Sequence, residues 1–474
     1  MKTRFRSAIV LIAVAGLAVL PARAGPDVSS VVLHAPVTAS GAHAPGAAPA
    51  AAEAAAPDPA MRVRIDRASR LLTGPWRFRL GDDMRRAAPG FDDTGWESVD
   101  LTPAPGAHDS DVGFTDYVPG WWARGHEGHS GYAWYRLHVA IDAPAGTRLA
   151  LLAPAYVEDA YQVFWNGTLI GGSGDFSGRT PVVYSTRPQV LRLPPAAMTT
   201  HDAVIAIRVW MLPGQSRLPD AGGIHVPPKL GMAEAIDAQY RLEWLQAFNG
   251  YVVEVAEPLA FILLAMLAWC FRATLPGRFA HWLCAALLLT AAYRLNQAVY
   301  AWLPYESFLA YRAVHLVLIP PGVAAWIMAW RRWYRLEDWR WLTYAIGIVT
   351  LLSAVLVLIL SDATLASVRP LWRIPLAIAL FATIILGLRR RQPDRVLAFV
   401  VAMLAAASQF GVLEALGVPG IWFPFGVGVS LTQYVYAALI VSLAVLLVRR
   451  IRRAVAMNGS ADIAVGGNAA VDDG

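Results

Sequence analysis

The sequence predicts a membrane protein in two structural parts, an all-β sandwich followed by an all-α bundle of seven transmembrane helices. The 474 residues are 56% hydrophobic and only 16% charged, which is too apolar for a chain that is soluble throughout. The apolar residues are unevenly spread. Residues 61–231 mix short alternating runs with turn residues, whereas 248–448 form long apolar blocks separated by arginine clusters. Two such patterns in one chain indicate two environments, water and lipid.

Residues 1–24 predict a signal peptide. Three basic residues precede an apolar stretch over residues 8–20, and a small-residue cleavage pattern ends at Ala24. We expect cleavage after Ala24; an uncleaved anchor is the alternative, and either one exports the segment that follows. Residues 25–60 are rich in Ala, Pro and Gly and have no aromatic residues, which predicts a disordered linker.

The pattern of residues 61–231 is typical of an all-β sandwich. Short apolar runs, for example 133–141, 161–165 and 203–210, alternate with turn residues. Asn166-Gly167 is the clearest hairpin signal, because both residues tolerate a positive φ. Residues 232–247 predict a connecting helix between this sandwich and the apolar blocks.

Seven apolar blocks are each long enough to cross a hydrocarbon core of about 30 Å at about 1.5 Å per residue. They lie at 248–271, 280–300, 308–330, 341–360, 371–388, 395–416 and 423–448. Fourteen arginines occupy the connections on one side, whereas the short loops of the other side hold Arg369 alone. The positive-inside rule therefore places the tail, 449–474, in the cytoplasm and the sandwich in the periplasm of a bacterial inner membrane. Membrane orientation also explains the net charge of +6, so the expected partner is the lipid bilayer and not nucleic acid.

Four segments of the β part carry a family resemblance. They are 71–78 (LLTGPWRF), 91–99 (FDDTGWESV), 131–136 (GYAWYR) and 163–171 (VFWNGTLIG). In this order they are similar to the non-catalytic sugar-binding jelly roll of family-two glycoside hydrolases such as β-galactosidases. The resemblance implies a galactose-binding-like jelly-roll fold, although function depends on the site and not on the fold. Because the catalytic barrel of those hydrolases is not in this sequence and Asp92 and Asp93 fit ordinary turn positions, a glycosidase is not expected.

The jelly roll followed by seven helices resembles the bacterial seven-transmembrane receptors with diverse intracellular signalling modules. Gly222-Gly223-Ile224 and the segment 227–231, which end the sandwich, fit that arrangement. Such receptors usually continue into an output module, whereas only about 20 residues follow Arg453 here. The resemblance therefore implies that a separate signalling protein carries the output.

Two tryptophans are the first candidates for ligand binding. Trp121 and Trp122 lie in a Gly-rich loop without a strand pattern, and their rings offer faces on which a sugar can stack. Neighbouring residues that would add hydrogen bonds are Arg124, His126, Glu127 and His129. Packing at the end of the sandwich, or at the membrane interface, is an equal alternative for the tryptophans. The His-Glu-Gly-His order lacks the spacing of a helical zinc site, so neither a metal nor another cofactor is expected.

Polar residues inside the apolar blocks form a second candidate site, because an ionisable group in hydrocarbon is costly and tends to face a cavity or a partner. With the predicted orientation they lie at similar depth near the outer helix ends: Glu254, Glu257, Arg294, Gln297, Arg312, His315, Arg373 and Glu414. Ion pairs combined with side chains that snorkel to the interface are the alternative to a ligand pocket.

These observations predict a receptor-like sensor. In this interpretation the periplasmic β part binds a carbohydrate-like or other small ligand, or a partner domain, and the helices relay the event. The alternatives are a membrane enzyme or transporter of envelope polysaccharide metabolism that uses the polar helix ends, and an assembly factor without a ligand. The sequence lacks a P-loop, a dinucleotide-binding fingerprint and a nucleophile elbow, which disfavours an enzyme.

Overall fold

The computed structural model describes the backbone of residues 60–108, 114–144, 146–194, 202–214, 219–303, 306–336, 340–360, 368–390, 392, 394–410 and 431–469. The predicted signal peptide, the linker up to residue 59 and Glu414 lie outside the described residues. Within them, a β part over residues 61–232 is followed by a helical part that begins at Ala233.

The described residues of the β part form thirteen strands. They are β1 Met61–Arg64, β2 Arg70–Leu71, β3 Trp76–Leu80, β4 Glu97–Val99, β5 Gly131–Asp142, β6 Leu149–Leu152, β7 Tyr156–Glu158, β8 Ala160–Trp165, β9 Thr168–Ser173, β10 Val190–Arg192, β11 Asp202–Met211, β12 Gly223–Val226 and β13 Lys229–Met232. The largest sheet has the order β4-β3-β5-β11-β8-β9, with β1 parallel to β5. A second sheet has the order β10-β6-β13-β2, and β7 pairs with β12.

The two larger sheets share one apolar core. Leu137, Val163 and Ile207 of the first sheet are fully buried against Leu151 and Leu230 of the second. Burying side chains of this kind stabilises a fold by about 1.5–3 kcal/mol each. The all-β nature of this part is therefore confirmed, while the jelly-roll topology stays a prediction.

The predicted hairpin is confirmed. Strand β8 ends at Trp165 and β9 begins at Thr168, and the two residues between them, Asn166 and Gly167, have φ of +46° and +83°. The Asn166 side chain also accepts a hydrogen bond of 2.7 Å from the Val204 amide of the adjacent strand β11. The turn is thus fixed both by local backbone preference and by a tertiary contact.

The outer face of the first sheet is covered by the loop between β3 and β4. Arg136 of β5 is fully buried there, and its Nε donates to Asp93 Oδ2 at 2.6 Å. Burial opposes ionisation of Asp93, but hydrogen bonds from His138 and Arg136 keep its pKa below the ordinary value. The prediction of an ordinary turn role fits Asp92, which accepts from the Thr94 amide and hydroxyl. Asp93 also occupies the turn, since its carbonyl accepts from the Trp96 amide, but its carboxylate is 6% exposed and has the further role of neutralising the buried Arg136 guanidinium.

Seven long α-helices lie in the described residues of the second part: α1 Ala233–Cys270, α2 Phe279–Trp302, α3 Phe308–Trp333, α4 Arg340–Ile359, α5 Pro370–Leu388, α6 Arg395–Phe410 and α7 Leu431–Ala469. Among the described residues, five segments are by length and composition able to cross a membrane: Val252–Cys270, Phe308–Trp333, Arg340–Ile359, Pro370–Leu388 and Thr432–Ala456. These candidate spans are consistent with a membrane protein. Spanning by α2 and α6, and with it the count of seven, stays a prediction.

The two parts are joined at several points. Helix α1 begins at Ala233, directly after β13, and runs without a break into the first candidate span. Its Ile236 is fully buried against Ala150 and Leu152 of β6. At the start of α3, the Phe308 amide donates to Val183 O at 2.9 Å, and the Phe308 ring packs on a small apolar cluster of the β part.

Strand β13 leads to a prediction about the boundary of the β part. A fragment of residues 60–232 should fold as a β protein, whereas one that ends at Pro228 lacks the strand between β6 and β2 and exposes the edges of both. The lost burial of Leu230 alone corresponds to about 1.5–3 kcal/mol. Far-ultraviolet circular dichroism and urea unfolding of both fragments test this prediction. Equal urea midpoints would show that β13 is dispensable.

Candidate functional site

The loop that carries the two candidate tryptophans is held against the chain before β12. The Trp121 amide donates to Gly222 O at 2.9 Å, and the Trp122 amide donates to Ala221 O at 3.0 Å. Both indole Nε1 atoms donate to His129 O, at 3.2 and 2.8 Å. A Cβ on Gly222 would collide with the Trp121 indole, and Gly222 has a φ of +89°, so only glycine fits there.

The two tryptophans differ in burial. Trp121 is 0% exposed and belongs to the apolar core of the β part, so neither face of its ring is open to a ligand in this arrangement. Trp122 is half-buried and packs at the margin of that core. A stacking role in the predicted ligand site is therefore left to Trp122.

The polar residues of the same loop point in several directions. Arg124 Nε donates back to Pro119 O at 3.2 Å, His129 Nε2 lies 3.3 Å from Tyr132 O, and Glu127 is exposed. His126 Nε2 lies 2.7 Å from Glu97 Oε2, and its ring contacts Phe78. His126 thereby lines a cavity of about 170 Å³ with Phe78, Arg79, Leu80, Gly95, Trp96 and Glu97. This volume is below the range of about 300–1,000 Å³ that is usual for small-molecule pockets, so the cavity would hold only part of a ligand.

The sequence reasoning missed a buried histidine. His225 of β12 is 1% exposed and stacks on Tyr117, with ring centroids 5.2 Å apart. Its Nε2 lies 3.6 Å from Glu158 Oε2, and the same oxygen accepts from the Gly222 amide at 2.5 Å. Burial and a hydrogen bond to Asp220 raise the pKa of the Tyr117 hydroxyl, which therefore remains a donor. His225 stands in an apolar run and its partners are distant in sequence, so no local signal marked it.

Asp159 adjoins Glu158 and faces the helices. Burial raises the pKa of its carboxyl to about 7, although the Leu212 amide donates to Oδ2 at 2.7 Å and favours the ionised form. Tyr300 near the end of α2 lies within electrostatic range of this carboxyl. A titratable group thus lies where the β part meets the membrane helices.

The second candidate site forms a connected group within the helices. Arg294 Nε of α2 donates to Glu257 Oε2 of α1 at 2.8 Å, and the two residues are 8% and 4% exposed. The Gln297 side chain interacts with the Glu254 carboxylate, and the Tyr311 hydroxyl donates to Gln297 Oε1. The His315 ring packs on Tyr311. We call these residues the polar cluster: Glu254, Glu257, Arg294, Gln297, Tyr311 and His315.

Most of the predicted residues at this depth therefore come together, and the ion pair between Arg294 and Glu257 is present. Arg312 and Arg373 are half-buried on α3 and α5. Arg369 precedes α5, and both Arg369 and Arg294 interact electrostatically with His315. Tyr311 was missed, as was Tyr436 of α7, whose ring lies 5.1 Å from the Arg294 guanidinium, because tyrosine in an apolar helix gives no distinguishing signal.

A series of interactions links the β part to the polar cluster. Tyr300, which interacts electrostatically with Asp159, stacks on Tyr311 with ring centroids 4.5 Å apart. The Tyr311 hydroxyl then donates to Gln297, which interacts with Glu254. We call this series, from Asp159 to Glu254, the contact path.

Comparison with known proteins assigns no family: no family model and no curated protein matches the chain. Among solved structures, a β-glucuronidase from Bacteroides uniformis is 18% identical with a TM-score of 0.23, over 34% of this chain and 17% of its own. A glycosyl hydrolase family 2 member from Bacteroides cellulosilyticus is 20% identical with a TM-score of 0.24, over 35% and 20%. A β-glucuronidase from Ruminococcus gnavus is 10% identical with a TM-score of 0.22, over 36% and 31%. This chain spans less than a third of those proteins, and similarity of this extent establishes neither its family nor its activity.

The raised pKa of Asp159 predicts a pH dependence of stability. The folded pKa of about 7 lies above the ordinary value of 3.8. The contribution of Asp159 to the free energy of unfolding is therefore fully present below about pH 4 and is lost as pH rises through 7. In Asp159→Asn, the loss of unfolding free energy between pH 4 and pH 8 should shrink by up to about 4 kcal/mol. Thermal unfolding of the full chain in detergent at several pH values measures it. Asp100→Asn, on an exposed turn, should keep the wild-type slope, and the same slope in Asp159→Asn would contradict the prediction.

Proposed function

We propose that this protein is a receptor-like sensor of the bacterial inner membrane. Its β part, on the periplasmic side, binds a carbohydrate-like or other small ligand or a partner domain, and the helices relay the event to a separate output protein. The observation that carries the proposal is the contact path, which connects a titratable group of the β part with buried polar groups of three helices. Packed side chains and hydrogen bonds of this kind can carry coupling between distant sites.

The attachment of the β part supports a relay because it engages different helices independently. Helix α1 continues from β13, while α3 is held by the hydrogen bond from Phe308 to Val183. The Arg187 guanidinium also donates to Ala301 O at the end of α2, at 2.9 Å. A change in the distance between β13 and Val183 would therefore move α1 relative to α3.

The ligand surface that we propose lies at the tryptophan loop. Half-buried Trp122 offers an aromatic surface, and the cavity beside His126 adds Trp96 and the Glu97 carboxylate. Aromatic rings next to hydrogen-bonding groups suit a sugar, which has both apolar faces and hydroxyls. The sequence resemblance to sugar-binding jelly rolls, and the carbohydrate-active enzymes among the similar structures, motivate this ligand class.

A membrane enzyme or transporter is the second candidate, and one observation favours it. Among the described residues, Glu257 Oε1 and Arg294 Nη2 have no hydrogen-bond partner although both are buried. Unsatisfied polar groups in a protein interior are costly and call for a bound molecule or water. A chemical step or transport at this site would need no ligand on the β part, which separates the two proposals experimentally.

Hydrogen exchange of the full chain in lipid nanodiscs tests the relay. Neutral sugars and uronic acids are added one at a time. A sugar that binds should slow amide hydrogen exchange in the tryptophan loop and should also change amide exchange at the start of α3. Phe308→Pro removes both the amide donor and the aromatic ring at the first position of the helix, where proline is tolerated. It should keep the first effect and lose the second, while Val314→Ala, 45% exposed on the same helix, keeps both. Trp122→Ala should weaken binding about fivefold or more, as expected for one lost stacking face. A change in α3 that persists in Phe308→Pro would contradict the relay.

The proposed orientation has its own test. A fluorescent reporter that folds only in the cytoplasm should be bright when fused after Arg453 and dark when fused after Met232, because the arginine-rich helix ends are retained in the cytoplasm. Whole-cell fluorescence, normalised to the amount of fusion protein, measures it. Bright cells from both fusions would place the β part in the cytoplasm and remove the basis for a periplasmic ligand.

A further inference from the structure

We propose that the polar cluster binds one positive charge, taken up either as a proton or as Na⁺. This site does not depend on a ligand of the β part, and it gives the helices a second chemical input. The argument rests on the arrangement of two carboxylates around one guanidinium and on the buried atoms that this arrangement leaves without a partner.

The first step is the charge count. Glu254 and Glu257 are three residues apart on α1, so they lie on the same helix face. Arg294 pairs with Glu257 at 2.8 Å and also attracts Glu254. Among the described residues, Arg294 is the cation that interacts with both carboxylates, which also repel each other, and Arg369 interacts with His315. Two ionised carboxylates around one guanidinium leave one negative charge in a buried place, where an unpaired charge is expensive.

The second step is the set of unpartnered atoms. Glu254 Oε2, Glu257 Oε1, Arg294 Nη2 and His315 Nδ1 are buried and have no hydrogen-bond partner among the described residues. Glu257 and Arg294 are both more than nine-tenths buried. Two free carboxylate oxygens are acceptors for a proton or ligands for a small cation.

The same chemistry excludes other occupants. An anion would meet two carboxylates, and a divalent ion such as Ca²⁺ takes six to eight oxygen ligands, usually with several carboxylates. Here one of the two carboxylates is already paired with Arg294. A single positive charge matches the excess of one carboxylate.

Groups from every packed helix are part of this electrostatic environment. They are Glu254 and Glu257 of α1, Tyr293 and Arg294 of α2, Tyr311 and His315 of α3, Arg369 before α5 and Tyr436 of α7. Both carboxylates belong to α1, so an empty site leaves their mutual repulsion and the cost of the excess buried charge in the folded state. Occupancy removes that cost and therefore stabilises the packed arrangement in which Glu257 of α1 pairs with Arg294 of α2.

The experiment uses the full chain in nanodiscs and carries Asp159→Asn and Glu243→Gln, because burial raises the carboxyl pKa at both positions outside the membrane. In this background we measure the infrared C=O band of protonated carboxylic acids at neutral pH. We also measure Tm in NaCl against choline chloride at equal ionic strength. Each measurement is repeated with Glu254→Gln, and with Glu234→Gln, an exposed change on the same helix, as the matched control.

For a proton, the acid band is present, disappears in Glu254→Gln and persists in Glu234→Gln. For Na⁺, that band is absent and NaCl raises Tm by roughly 3 °C or more, a gain that Glu254→Gln abolishes and Glu234→Gln retains. A protein that shows neither the band nor the sodium-dependent gain overturns the proposal and leaves a static ion pair. These two measurements on the background protein alone decide the question if Glu254→Gln does not fold.

Discussion

The continuity of α1 with β13 constrains the rest of the molecule. Because the helix begins at the residue after the strand, the β part cannot rotate without turning the first candidate span. The burial of Ile236 against β6 stiffens this junction. The contact of Phe308 with Val183 then fixes α3 on the same β part. With α1 and α3 attached to the same β part, the side chains between them have defined partners, and this is where the polar cluster forms.

Two of the buried arginines, Arg136 and Arg294, have very different surroundings. Arg136 is enclosed by Asp93 and by the backbone carbonyls of the loop that covers it, including Ala88 O at 3.0 Å. A buried guanidinium that is fully hydrogen-bonded serves structure, because removing any partner strands a charge. Among the described residues, Arg294 has one ion-pair partner, Glu257, and its Nη2 has no hydrogen-bond partner. Because the hydrogen-bonding capacity of the guanidinium is used fully at Arg136 and only in part at Arg294, Arg136 stabilises the fold whereas Arg294 belongs to a candidate site.

Local chemistry was predictable from the sequence, whereas distant partnerships were not. Asn166-Gly167 defines its hairpin through its own φ preferences, and the membrane helices follow from the hydropathy of each block. The burial of Trp121 depends on Gly222, about a hundred residues later, whose missing side chain makes room for the indole. Asp93 looked like a turn residue because its partner, Arg136, lies on another strand. The polar cluster was partly predictable because the cost of charge in hydrocarbon restricts where such residues can face.

In the structure the two candidate sites are connected, although nothing in the sequence indicated a connection between them. The loop at Trp122 is hydrogen-bonded to the turn before β12, and the Gly222 amide of that turn donates to the Glu158 carboxylate. Asp159, the next residue, begins the contact path through Tyr300 into the helices. A displacement of the tryptophan loop would thus act on the Glu158-Asp159 pair before it reached any helix. Because Asp159 titrates near neutral pH, its charge adds an electrostatic force at that step. The junction between β part and helices is therefore the place where ligand, proton and membrane inputs would converge.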